Sequence, residues 1–231
     1  MTATDWRTGR EKAGLTQVAA AHSLRITQPY LSQLETGLRV PGVELALKAA
    51  ELYGLPPTAV PLPETLDVQE TSPDTLEQKL AYLCYPGFEH VRHKIESNPA
   101  EVVLNAVVKR DLDTRLVEAL PWVLITYTDL NWEWLRDRAK LKNAQNRLGY
   151  LVHLAGETAA AMPQHQNAVE VLSKWEEELE AARLASEGTL CRDSMPERER
   201  TWLRANRPEA AAHWSLLTSL RADQLPYATR H

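Results

Sequence analysis

Along the first sixty residues, apolar positions recur at helical spacing in short runs, each bounded by a residue that starts or stops a helix. Trp6 to Ala13 reads as a first helix, stopped by Gly14. Thr16 caps a second, Gln17 to Ser23, with Val18 and Ala19 facing inward. After the link Leu24-Arg25-Ile26, Thr27 caps a third helix, Gln28 to Glu35, closed by Gly37. Pro41-Gly42 opens a fourth through Tyr53, with Leu45, Ala49 and Leu52 inward, and Thr58 to Leu62 forms a last short turn. Two short helices joined by a tight turn can be a helix-turn-helix or part of a generic three-helix bundle, and spacing alone does not separate them.

Beyond a segment rich in Pro56, Pro57, Pro61, Pro63 and Pro73, the pattern is helical almost to the end and no strand run stands out. Helices are expected over Leu76–Tyr85, Phe88–Glu96, Pro99–Lys109 and from Leu112 into Pro121-Trp122-Val123-Leu124-Ile125. Asn131 caps a longer one, in which Leu141, Ala144, Leu148, Leu151 and Ala155 alternate spacings of three and four, up to a break between Gly156 and Pro163. Ala168, Leu172, Trp175, Leu179 and Ala182 form a short heptad seam, read as an intramolecular antiparallel hairpin or as a dimer seam. Two last helices run from Pro196 to Ala205 and from Pro208 to Leu217. The expected fold is all-α, organised as a domain over 1–62, a Pro-rich linker over 63–75 and a larger helical domain over 76–231 for dimerisation or for binding a partner or ligand.

Composition refines this picture in one respect. The net charge of −5 argues against a chain that coats nucleic acid non-specifically. Yet residues 1–60 hold six basic side chains against five acidic ones, so the acidic excess lies wholly in the remainder. A DNA-facing module on an acidic body fits that asymmetry. No apolar run approaches the roughly 20 residues that span a bilayer, and the start lacks the features of a secretory signal, so a cytoplasmic protein without membrane contact is expected. Cys84 and Cys191 show no metal or redox spacing and are read as reduced and structural.

The residues of the first domain are more specific than its spacing. The string Leu15-Thr16-Gln17, then Ile26-Thr27-Gln28-Pro29-Tyr30-Leu31-Ser32-Gln33-Leu34-Glu35-Thr36-Gly37, then Pro41, resembles the XRE family of lambdoid phage repressors and Cro proteins over residues 6–60. The resemblance implies a five-helix, lambda-repressor-like DNA-binding domain whose third helix enters the major groove. It implies a phosphate contact by Gln17, base contacts by Gln28 and Gln33, and a structural ion pair between Arg10 and Glu35. A Gln amide matches adenine N6 and N7 bidentately. Pro29 departs from the family pattern: it suits a first helical turn but offers only apolar contact, as to a thymine methyl. Arg25 takes a turn position often held by Gly and is placed to reach phosphate, as are Thr36 and Arg39 in the following loop. For Ser32, base contact and solvent exposure are both open; for Tyr30, core packing and a phosphate bond are. So thin a set of positive groups implies weak binding by one copy, which a homodimer on a two-half-site operator would offset.

The second half carries no recognisable chemistry. Glu118–Leu124, Asp129–Trp134 and Asn143–Gly149 resemble C-terminal regions of XRE-type regulators and antitoxins of two-gene modules, which implies a cognate toxin as a partner. His90 and His93 could share a helix face, but a zinc site needs more ligands. No catalytic set, phosphate loop or cofactor motif appears, so the chain reads as no enzyme, with no cofactor. Asn143, Gln145, Asn146 and Arg147 form a dense polar group that is either a solvated face or, if buried, a pocket or subunit contact. Trp122, Trp132 and Trp134 around Tyr127 are read as core or as a stacking surface for a ligand. Three functions follow: a repressor of its own operon, with an antitoxin as a special case; a small-molecule-responsive regulator with a pocket among the Trp-rich helices; and, least supported, a helical enzyme that uses the first domain for targeting.

Overall fold

The computed structural model describes residues 3–63 and 72–228, and contact clustering divides the chain into two units. The first comprises Met1–Glu64 together with the short segment Glu96–Asn98, and the second comprises Thr65–Ile95 with Pro99–His231. Most of the linker expected over 63–75 lies outside the described residues; its last three residues are already helical.

Four helices build the first unit: α1 Ala3–Lys12, α2 Gln17–Ser23, α3 Gln28–Glu35 and α4 Val43–Tyr53. The fifth helix of the expected architecture is a single 3-10 turn, Pro57–Ala59. The core gathers Trp6, Leu24, Leu31, Leu34, Ala46, Ala49 and Tyr53, with the Trp6 and Tyr53 rings edge to face at 6.2 Å. The inward face of α2 is Ala20 and Ala21 rather than Val18 and Ala19, both of which are exposed. A run of three alanines has no amphipathic period, so which of them turns inward is set by packing on α3 and Leu24. Asn98 closes the unit, its side-chain amide donating to Thr58 O (3.0 Å) and Val60 O (2.7 Å).

The second unit is helical too: α5 Pro73–Tyr82, α6 Pro99–Val107, α7 Thr114–Thr126, α8 Trp132–Leu141, α9 Gln145–Ala161, α10 Gln166–Glu180, α11 Glu197–Asn206 and α12 Glu209–His213. The long helix expected from Trp132 to Ala155 is two helices. Lys142 ends α8, Asn143 takes a left-handed conformation (φ 54°), and the Ala144 amide closes back on Ala139 O (2.8 Å). That is a Schellman stop with Asn in the place usually held by Gly. In the opposite sense, α9 runs through Gly156 to Ala161. No helix covers Phe88–Glu96, where only the 3-10 turn Pro86–Phe88 forms, so His90 and His93 share no helix face. Beyond His213 the last expected helix gives way to β2, Leu216–Leu217, which pairs in parallel with β1, Gly188–Thr189.

α9 and α10 pack closely on each other, and α9 also meets α7. Ala168, Leu172, Trp175 and Leu179 of α10 are buried within the chain, so the heptad seam is the intramolecular hairpin. α6 is apolar except for Glu101 and Asn105, which share one face and bond each other, Glu101 also accepting from Lys79, and every residue of it but Glu101 is buried. Gly149 lets α9 meet Trp214: a Cβ there would overlap the indole ring. Among the described residues no helix is long and apolar enough to cross a membrane.

Candidate nucleic-acid interface

α2 and α3 are both started by a threonine hydroxyl that takes up an otherwise unpaired amide. Thr16 Oγ1 accepts from Ala19 N (3.2 Å), and Thr27 Oγ1 accepts from Tyr30 N (3.4 Å). The turn between them is a Schellman motif: Arg25 N donates to His22 O (3.1 Å) and Ile26 N to Ala21 O (2.9 Å). It forces Arg25 to φ 57°, a conformation costly for any residue with a Cβ, and leaves its side chain exposed.

A polar relay then links α1, α2 and α3. Arg10 grips Glu35 through two bonds, Nε to Oε1 (2.6 Å) and Nη2 to Oε2 (3.1 Å), and its Nη1 donates to Leu15 O (2.9 Å). Gln17 Nε2 donates to the other side of the same carboxylate, Glu35 Oε2 (2.8 Å), and Gln28 Nε2 donates to Gln17 Oε1 (2.8 Å). Both partners of the ion pair are buried. Burial pushes the Glu35 carboxyl up, but the bonds from Arg10 and Gln17 outweigh it and hold the group below the ordinary glutamate range. The Arg10 guanidinium is held correspondingly above its ordinary value by that same bond. The chain of contacts therefore runs from a buried charge pair outward to the exposed amide of Gln28, fixing its direction at the start of α3.

The structure separates the remaining candidates. Gln28, Pro29 and Gln33 are exposed on α3, and Ser32 is half-buried. Tyr30 packs against the core of the unit. Arg39 is exposed, whereas the Thr36 hydroxyl donates its one proton to its own helix, at Ser32 O (2.9 Å) and Gln33 O (3.2 Å). One feature escaped the sequence reading. Val18 (69% exposed), Leu38 (76%), Val40 (80%) and Val43 (60%) are large apolar side chains exposed on the first unit. The signal was present in the run Leu38-Arg39-Val40-Pro41-Gly42-Val43, which holds one charge in six residues.

Elsewhere the dense polar group is a clamp. Asn146 bonds the Leu184 backbone both ways, Nδ2 to O (2.8 Å) and from N to Oδ1 (2.8 Å), while Gln145 Nε2 donates to Ala182 O (3.2 Å). Arg147 donates to Thr189 O (2.8 Å), Val107 O (3.1 Å), Lys109 O (2.6 Å) and Asp193 Oδ1 (2.9 Å). The Trp group is divided among separate packings: Trp132 stacks on Trp175 (4.6 Å), Trp134 lies under Arg138 (4.5 Å), and Trp122 meets Tyr127 and Tyr85 edge-on. Cys191 is buried, its thiol pushed up to about 11 by burial, while Cys84 is exposed.

Two capped helices at a tight turn, the second presenting its first residues outward, define a helix-turn-helix. Residues 7–60 match the family model described as Helix-turn-helix, the same segment that resembles the XRE family in sequence. No curated protein and no solved structure matches the chain.

Proposed function

We propose that the protein is a sequence-specific transcriptional regulator, most simply a repressor of its own operon, which binds its operator as a homodimer. The observation that carries this reading is the relay Arg10–Glu35–Gln17–Gln28, which holds one amide at the start of α3 and leaves Gln33 free on its outer face. Gln28 and Gln33 read base edges, Pro29 touches a thymine methyl, and Ser32 lies beside them. Gln17, Arg25 and Arg39 meet phosphates; Thr36 contributes there only if its hydroxyl releases Ser32 O.

The few cations of the first unit support weak binding by one copy, and hence a dimer. The dimer contact is not the α10 seam, which is occupied within the chain. An antitoxin role would add a protein partner on the second unit, and a ligand-responsive role would add a small molecule there. The cleft described below favours the latter.

Footprinting of the full chain on its own upstream DNA tests the proposal. Two protected half-sites with centres about 10–10.5 base pairs apart, or a multiple of that, are expected. Protection of one unpaired site by a single copy would contradict the dimer.

A further inference from the structure

One face of α9 borders an open cleft of about 1000 Å³ in the second unit. Tyr150, Leu154 and Thr158 recur every four residues along its floor, with His153 and Glu157 beside them. α12 and the 3-10 turn Ala222–Gln224 supply other walls, largely through small side chains such as Ala210 and Ala222. Tyr150 and Leu154 are buried, and the Tyr150 hydroxyl donates to Leu220 O (2.5 Å), which fixes the ring. The His153 ring lies nearly parallel to it at 6.3 Å, so the base of the cleft is closed and rigid.

The charges around this floor are unbalanced. His153 is bonded to Glu176 (2.9 Å) and His213 to Glu180 (2.7 Å), so each imidazole has a carboxylate partner behind the lining. That leaves Glu157, Glu209 and Asp223 against Arg221 alone. Glu157 reaches only the already paired His153, at 3.6 Å, and Glu209 and Asp223 have no ion-pair partner among the described residues. Small apolar walls, among them Ala161, Ala210 and Ala222, with an acidic rim suit a cation on a hydrophobic body, because the carboxylates attract the charge while the alanines receive the body. Such a volume is that of a small-molecule site.

We infer that this cleft binds an organic cation, an amine or quaternary ammonium carried on an apolar body. The inference goes beyond DNA recognition and is independent of it, since the site lies within the second unit. No tryptophan lines the cleft, in contrast to the ligand pocket expected among the Trp-rich helices.

The test is calorimetric titration of the full chain, without DNA, with benzyltrimethylammonium, phenethylamine and, as the anionic counterpart, phenylacetate. Both cations are expected to bind and phenylacetate not to. The triple variant Glu157→Gln, Glu209→Gln, Asp223→Asn is expected to weaken the cations by about tenfold. Ala222→Trp, which narrows the cleft beside Asp223, is expected to weaken binding of both cations. Raised salt should weaken binding to the unaltered chain, a readout that needs no variant. No heat from either cation up to about 10 mM, well above the affinity of a weak site, would overturn the inference. So would equal binding of phenylacetate, or unchanged affinity in a triple variant with native circular dichroism. A chain that fails to bind DNA yet binds these cations would refute the proposed function and leave the cleft standing.

Discussion

Arg25 and Glu35 show how single side chains serve both the fold and the interface. Arg25 sits at φ 57°, where glycine is unstrained, yet it offers one of the few exposed cations of the helix-turn-helix. Arg25→Gly is therefore expected to raise stability by about 0.5–1 kcal/mol in urea denaturation and to lower DNA affinity in the same preparation. A rise in both, or a fall in both, would show that the residue does not have these opposed roles. Glu35 is ionised at neutral pH and held below the ordinary glutamate value of 4.5, so its contribution is complete above that value. It is lost as pH falls from there through the lowered value of the folded state. Glu35→Gln removes this acid-side loss and leaves Arg10 buried without its counter-charge, at a cost of roughly 3–5 kcal/mol at pH 7. Chemical denaturation of the full chain at pH 7 and pH 4 measures both, with a smaller difference between variant and parent expected at pH 4.

At the scale of elements, what ends a helix decides how legible it is. Gly14, Gly37 and Gly54 stop three of the four helices of the first unit at positive φ, and glycine is the residue that advertises such a stop. The second unit uses Cys84 and Asn143 for the same conformation. Cysteine does not announce it and asparagine does so more weakly than glycine, so the apolar period from Trp132 to Ala155 reads as continuous although the chain turns at Asn143. The polar run after that turn has a role that spacing alone leaves open, because its partners are backbone groups some forty residues away. Arg147→Met fills much the same volume but strips the carbonyls of Val107, Lys109 and Thr189 of their donor. It is expected to cost about 3 kcal/mol. Hydrogen exchange should speed up first across 107–109 and 189–193, the segments Arg147 holds; uniform acceleration over the whole chain would argue against a local clamp.

For the molecule as a whole, the helical class and the DNA-binding segment were readable because α1 to α4 depend on local caps and short-range periodicity. The α9–α10 hairpin joins consecutive helices, and its apolar seam shows in the sequence, whereas the β1–β2 contact and the cleft join distant parts of the second unit that no local pattern encodes. The same thin charge that made the first unit hard to recognise from composition sets its expected behaviour on DNA. With Arg25 and Arg39 as the cationic phosphate contacts of each subunit, a dimer neutralises about four phosphates, and log K should fall against log salt with a slope of roughly −3 to −4. A slope near −10 would mean that cations outside this surface dominate binding.

The most direct test of α3 as the reading element is selection of preferred sites from random DNA by the parent chain, Gln28→Ala and Gln33→Ala. Each variant is expected to lose preference at its own base position in both half-sites, with a penalty of roughly 1–3 kcal/mol on the parent operator. An unchanged site preference in both variants would contradict the account.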